Sequence, residues 1–146
     1  MIKVRSFTHE DCMFIKENFY PNMSFYDVEN MVKDWNKLLY NNSYFEMFAV
    51  LSGDDIVGYV SLYEQGKSII GAGIRILEKY RMNGYGSKAV ELALELARQK
   101  GYVKAVAQIN VNNKASISLH NKLGFSIVNR YINRKGNEVY DLEKPI

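Results

Sequence analysis

The chain has 146 residues, 47% apolar, 13% aromatic and 24% charged, with a net charge of +3. Those values predict one domain over residues 1–146 with a core of its own, and they exclude a disordered or low-complexity chain. The positive balance is mild and nowhere dense, so no nucleic-acid partner is expected. The longest apolar run, even counting glycine as apolar, is Ile69 to Ile74, far short of the roughly 20 residues a membrane-spanning helix needs, so no membrane partner is expected either. Polar residues follow Met1-Ile2-Lys3-Val4-Arg5 directly, without the apolar stretch of a secretion signal, and a cytoplasmic location is the expectation. A single cysteine, Cys12, and two histidines, His9 and His120, form no set at metal-ligand spacing, so neither a disulfide nor a metal is expected.

Ile2 to Phe7 alternates apolar and polar residues as a half-buried strand does, and Thr8 to Asp11 supplies capping chemistry for a first helix. Ser24 to Tyr40 carries Val28, Met31, Val32, Trp35, Leu38 and Leu39 on a helical stripe, which predicts a second helix. Glu46 to Leu51 and Ile56 to Glu64 read as a hairpin turning at Ser52-Gly53-Asp54-Asp55. A third strand, Ile69 to Leu77, contains Gly71 and Gly73, which mark either a bulge or close approach, or only loose packing. Gly84 to Lys100 forms an amphipathic helix closed by Gly101. Val103 to Asn110 reads as a strand, Asn113 to Leu123 as a short helix, and Ser126 to Asn133 with Glu138 to Glu143 as a final hairpin. The order β-α-α-β-β-β-α-β-α-β-β predicts an α/β fold with a mixed sheet and helices on both faces.

The stretch Arg81-Met82-Asn83-Gly84-Tyr85-Gly86-Ser87-Lys88 lies between a strand and the start of the longest helix. First-turn amides of a helix lack internal partners, the dipole adds positive charge, and two glycines let a ligand approach the main chain, so a phosphate or pyrophosphate suits the place. A Walker loop needs Lys-Ser/Thr after its second glycine, whereas Ser87-Lys88 has the reverse order. A dinucleotide fingerprint tolerates Ala89 as its third small residue, but no acidic residue follows on a strand at the right distance.

Arg81 to Gly86 resembles the (Gln/Arg)-x-x-Gly-x-(Gly/Ala) acyl-CoA loop of the GNAT family of N-acetyltransferases. Asn113-Lys114-Ala115-Ser116-Ile117-Ser118-Leu119-His120-Asn121-Lys122-Leu123-Gly124-Phe125 resembles the family's second motif, Asn-x-x-(Ala/Ser)-x-x-Leu-Tyr-x-x-x-Gly-Phe. The resemblance covers residues 69–125 firmly and, through element order, the whole chain. It implies a mostly antiparallel twisted sheet and transfer of an acetyl group from acetyl-CoA to a primary amine in a direct ternary complex. The cofactor would lie between diverging parallel strands, Ile69 to Leu77 and Val103 to Asn110. Main-chain groups of Ile74, Arg75 and Ile76 would meet the pantetheine arm and polarise the thioester carbonyl. Arg81, Met82, Asn83, Gly84, Tyr85, Gly86 and Ser87 would hold the pyrophosphate, with Asn113 and Ser116 completing the cofactor set.

His120 stands where the family usually has a tyrosine that protonates the leaving thiolate, as it does in branches similar to phosphinothricin acetyltransferases. An imidazole can give that proton or take one from the amine near neutral pH, although the ring could equally be packing. Glu64 ends a strand beside the thioester strand and is the candidate general base, with a solvated strand end as its alternative. Arg75 could meet an acidic acceptor or form a structural ion pair, and Tyr59, Tyr63 and Tyr140 are candidate pocket walls. The acceptor would be a small-molecule or peptide amine, and a homodimer is left open. The alternative activity is a non-catalytic acyl-CoA-binding or regulatory domain.

Overall fold

A computed structural model describes all residues from Met1 to Ile146. The chain runs β1 (Ile2–Ser6), α1 (Cys12–Asn18), α2 (Phe25–Trp35), β2 (Leu39–Tyr40), β3 (Ser43–Ser52), β4 (Asp55–Gly66) and β5 (Ile69–Ile76). It continues through α3 (Tyr85–Gln99), β6 (Lys104–Asn110), α4 (Lys114–Lys122), β7 (Ser126–Ile132) and β8 (Glu138–Pro145), with short 3-10 turns at His9–Asp11 and Glu78–Tyr80. The strands lie in the order β1-β3-β4-β5-β6-β8-β7, with β2 pairing off the path against β3. Every neighbouring pair is antiparallel except β5 and β6. This is the mixed, mostly antiparallel sheet expected from the element order. No helix is long and apolar enough to cross a membrane.

Period-two alternation sends neighbouring residues of β3 to opposite faces, and each face has its own core. Phe48 and Val50 join Val60, Leu62 and Ile70 under Ala89, Val90, Ala93 and Ala97 of α3. Met47, Ala49 and Leu51 pack instead with Ile15 of α1 and with Val28, Val32 and Trp35 of α2. The N-cap of α2 is Ser24, whose hydroxyl accepts from the Asp27 amide at 3.0 Å. Gly101, at φ +99°, terminates α3 in the left-handed conformation that favours glycine.

The second helix is shorter than its stripe predicts. It ends at Trp35, Leu38 turns back at φ +59°, and Leu39 and Tyr40 pair as a strand with Tyr44 and Ser43. Leu39 and Tyr40 are exposed, so their apolar spacing reports no helix face.

Two features of the sheet create a site. Parallel pairing of β5 and β6 extends only from Ile69–Lys104 to Gly71–Val106. Beyond that point β5 pairs with β4 alone and β6 with β8 alone, leaving an open wedge between Ala72–Ile76 and Ala107–Asn110.

Candidate active site

The ladder fixes which main-chain groups face the wedge. Leu77 N–H donates to the Val57 carbonyl at 2.8 Å. Bonded and non-bonded pairs alternate along an antiparallel ladder, so Arg75, Gly73 and Gly71 turn their amides and carbonyls toward β4 in the same way. Ala72, Ile74 and Ile76 turn theirs toward the wedge, while their side chains pack with the α3 core. The Ile76 carbonyl accepts from Arg81 Nε at 3.0 Å, and the last parallel pair, Gly71 with Val106, takes the Ala72 amide, which leaves the Ala72 carbonyl and the amide and carbonyl of Ile74 with no strand opposite. Of the trio Ile74, Arg75 and Ile76, Arg75 is therefore a correction, because its main chain belongs to the β4 ladder. Its guanidinium lies over the Phe19 ring, 5.4 Å from the centroid, on the α1–α2 side.

Between β5 and α3 the loop is shaped by its own side chains. Asn83 Nδ2 donates to the Tyr80 and Arg81 carbonyls at 3.0 and 3.2 Å, Met82 and Gly84 adopt φ of +68° and +75°, and α3 then begins at Tyr85. The consecutive amides of Met82, Asn83, Gly84, Tyr85, Gly86 and Ser87 make no internal hydrogen bond. Carbonyls are tied down and amides are left free, a cradle for an anion at the positive end of a helix.

The two glycines act differently. A Cβ on Gly84 would meet nothing within 4 Å, so its requirement is the left-handed backbone. A Cβ on Gly86 would lie 3.2 Å from Leu119 Cδ1 and 3.6 and 3.7 Å from the side chains of Ile76 and Ile74. Gly86 thus sets how closely α3, α4 and the open half of β5 converge.

In α4, Asn113 is the N-cap, its Oδ1 accepting from the Ser116 amide at 3.1 Å. That carboxamide oxygen is already engaged, and the main contribution of Asn113 here is to start the helix. His120 lies one turn beyond Ser116, 4% exposed, with its ring edge-on to Phe125 at 4.9 Å. Its Nδ1 is 2.8 Å from the Ser116 carbonyl, with Ser116 Oγ at 3.4 Å. A carbonyl only accepts, so Nδ1 carries the proton and Nε2 the lone pair. Ser116, expected among the cofactor residues, here orients the imidazole. Burial pushes His120 below the usual 6.5, opposed in part by the Ser116 bond, so the ring is neutral at pH 7. Every solvent-sealed side-chain nitrogen and oxygen has a partner, and Nε2 has none, so Nε2 is the atom of this ring that opens to solvent.

Glu64 is not brought to the wedge. It stands opposite Ile70 in the paired half of the sheet and accepts from the Tyr102 hydroxyl at 2.9 Å. Cys12 is buried in α1 at 1% exposure, away from the loop and the wedge.

The opposite face of the sheet holds a group that motif reading does not reach. Tyr63 lies over Gly71, where an added Cβ would come 2.3 Å from the ring, and Ser61 Oγ lies over Gly73, 2.8 Å from such a Cβ. The glycines are therefore a close approach, filled by side chains from β4. Across the wedge, Gln108 Nε2 donates to Tyr131 Oη at 2.7 Å, and Tyr131 donates to Asp141 Oδ1 at 3.2 Å. Tyr63, Gln108, Tyr131 and Asp141 share a groove of about 680 Å³ that crosses the point where β5 and β6 part. Tyr63 was legible as a pocket wall; Gln108, Tyr131 and Asp141 come from three strands and meet only through sheet register. Tyr59 packs with Phe19 at 5.1 Å, and Tyr140 packs against the α3-side core, so neither lines this groove.

The sequence profile of the acetyltransferase (GNAT) family matches residues 9–125. The chain is 23% identical over 134 residues to N-alpha-acetyltransferase 30 of Schizosaccharomyces pombe, a match covering 86% of this chain and 84% of that protein. In structure it resembles the ribosomal L7/L12 alpha-N-protein acetyltransferase RimL in complex with coenzyme A, with a TM-score of 0.86 at 14% identity over 99% of this chain and 94% of the other. It also resembles yncA, a putative acetyltransferase from Salmonella typhimurium with acetyl-CoA, with a TM-score of 0.76 at 17% identity over 99% and 94% of the two chains. The profile spans most of the chain, including the glycine loop and the His120 helix, and the chain belongs to the GNAT acetyltransferase family.

Proposed function

We propose that the chain transfers an acetyl group from acetyl-CoA to a primary amine, both bound together in the wedge between β5 and β6. The observation that carries this reading is the run of six free amides, Met82 to Ser87, following a strand whose wedge-facing amide at Ile74 lacks a partner. The residues fit an acyl-CoA: the loop amides suit its pyrophosphate, and the Ala72 carbonyl with the amide and carbonyl of Ile74 suit the amide-bearing arm and thioester carbonyl. When bound, acetyl-CoA supplies an acetyl group on a thioester that the wedge-facing amides would polarise.

In this reading His120 moves the protons. With Nδ1–H held by the Ser116 carbonyl, Nε2 offers a lone pair that can take a proton from the incoming ammonium and return it to the departing sulfur. A C–N bond forms as the C–S bond breaks; of the two protons the ammonium loses, one ends on sulfur and the other in water. Glu64, engaged by Tyr102 outside the wedge, has no part in this scheme. Cys12 is too buried to carry the acetyl group, which favours direct transfer.

Thermal unfolding with ligands and thiol release with an amine panel test the reading together. Acetyl-CoA at one hundred times its Kd should stabilise the fold by about 2.7 kcal/mol, and at least one amine should release free thiol. Stabilisation by ATP or NAD but not by CoA refutes the assignment of the site. Stabilisation by CoA without thiol release from any amine leaves only acyl-CoA binding and refutes the transfer.

A further inference from the structure

The register of the sheet puts polar groups on opposite banks of the wedge at one level. Ser61 stands opposite Gly73, and Gln108 stands opposite Asp141. Gly71 pairs with Val106, so Gly73 and Gln108, each two residues further on, are level across the opening. The row therefore reads Ser61, Gly73, wedge, Gln108, Asp141 on the face away from α3 and α4; Gln108 and Asp141 line the groove, and Tyr63, two residues along β4 from Ser61, lines its other bank.

Each bank carries a group without a full complement of partners. Ser61 is 8% exposed, yet its hydroxyl makes no hydrogen bond; no sealed side-chain oxygen is left without one, so Oγ reaches solvent, and it lies over Gly73 on the strand that borders the wedge. On the other bank, Asp141 has no cation within 4 Å: Arg130 is taken by Glu138, and Lys104 by Glu143. Its one side-chain partner is the Tyr131 hydroxyl, itself fixed by Gln108, so the carboxylate is held in place with its charge unmatched. A fixed, unmatched carboxylate lining a groove favours a cationic group. Three strand spacings of about 4.8 Å separate the backbones at Ser61 and Asp141 even before the wedge widens, too far for one ammonium to meet both.

We propose that the acceptor is an aliphatic amine carrying a second positive charge. Ser61 receives the reacting amine at the wedge, and Asp141 binds the distal ammonium. This rests on the transferase reading above, and the Ser61–Asp141 separation defines the class as a diamine or longer polyamine rather than a monoamine.

The test compares 1,8-diaminooctane with octylamine, which share a chain length and differ in the second charge, using thiol release and calorimetric binding of each amine to the CoA-loaded protein. The wild type should prefer the diamine. Asp141→Asn, which keeps the acceptor oxygen for Tyr131, should lower kcat/KM and affinity for the diamine about tenfold or more, the loss expected for one charge-assisted bond, while leaving octylamine and CoA affinity unchanged. Ser61→Ala should lower kcat for both amines with CoA affinity and melting temperature retained. Equal loss on both amines in Asp141→Asn, no loss on either, or preference of the wild type for octylamine or a peptide N-terminus overturns the assignment of the acceptor while leaving the transferase reading standing. Thiol release from no amine at all overturns both.

Discussion

The two faces of the sheet build their halves of the site in different ways. On the α3–α4 face the proposed binding groups are backbone: six loop amides and the Ile74 amide, held by glycine geometry, by Arg81 and Asn83, and by the closeness of two helices. On the other face they are side chains, Ser61, Tyr63, Gln108, Tyr131 and Asp141, gathered from four strands. Backbone donors bind whatever phosphate and amide groups the ligand presents and require little of the sequence except small residues where the chain must turn or pack closely. Side-chain donors can be exchanged one at a time without altering the sheet. A fold built this way can keep one co-substrate while its acceptor changes.

The largest expected effect tests whether His120 belongs to chemistry or to packing. General acid–base groups contribute about 10²- to 10⁴-fold, so His120→Phe, which retains a ring against Phe125, should lower kcat by at least tenfold with CoA affinity unchanged. The pH dependence follows from burial. The folded imidazole titrates below the unfolded 6.5, so the native state takes up its proton less readily than the unfolded chain. Stability linked to this ring is therefore complete above about 6.5 and falls as pH drops from there toward the folded value. His120→Phe should remove that part of the acid destabilisation, and in the wild type the acidic limb of kcat/KM should lie below pH 6.5. Wild-type turnover in His120→Phe would return the residue to packing.

The two loop glycines give the next largest contrast. Gly86→Val drives new atoms into Leu119 and Ile76, and overpacking of this kind costs about 1–3 kcal/mol, so melting temperature and CoA affinity should fall together. Gly84→Val meets no atom and costs only the strain of a left-handed backbone, roughly 1–2 kcal/mol. Its main effect should be lost CoA binding as the loop changes shape. Calorimetry and thermal melts on both variants separate the two outcomes.

Gly71→Ala carries the contrast to the other face. The added methyl would overlap the Tyr63 ring and displace it from the groove, so KM for the amine should rise while CoA affinity stays within about twofold, since the ring lies away from the loop. The smallest effect should come from Asn113→Ala. Loss of the cap on α4 costs about 1 kcal/mol of stability, with a modest fall in kcat as Ser116 and His120 loosen.

The elements of the proposed cofactor side were largely legible in the sequence because their logic is local. A strand, a glycine loop and an amphipathic helix are contiguous, and α3 occupies the predicted residues to within one position at either end. Local pattern failed at α2, where Leu38 and Leu39 continue the stripe while the backbone reverses at Leu38. It failed at Arg75 because a motif locates the strand but not which of its alternate amides face the wedge. Ladder phase decides that, and it depends on the partner strand. The acceptor side was illegible for the same reason: Gln108 and Asp141 are 33 positions apart in sequence, and only the β6–β8 register sets them opposite each other.

Amide-resolved nuclear magnetic resonance with a CoA titration tests the division between the faces most directly. The account predicts the largest shifts at the amides of Met82 to Ser87 and of Ile74, with a smaller change at His120 and almost none at Tyr131 and Asp141. Shifts concentrated along β7 and β8, with the loop amides unmoved, would contradict it.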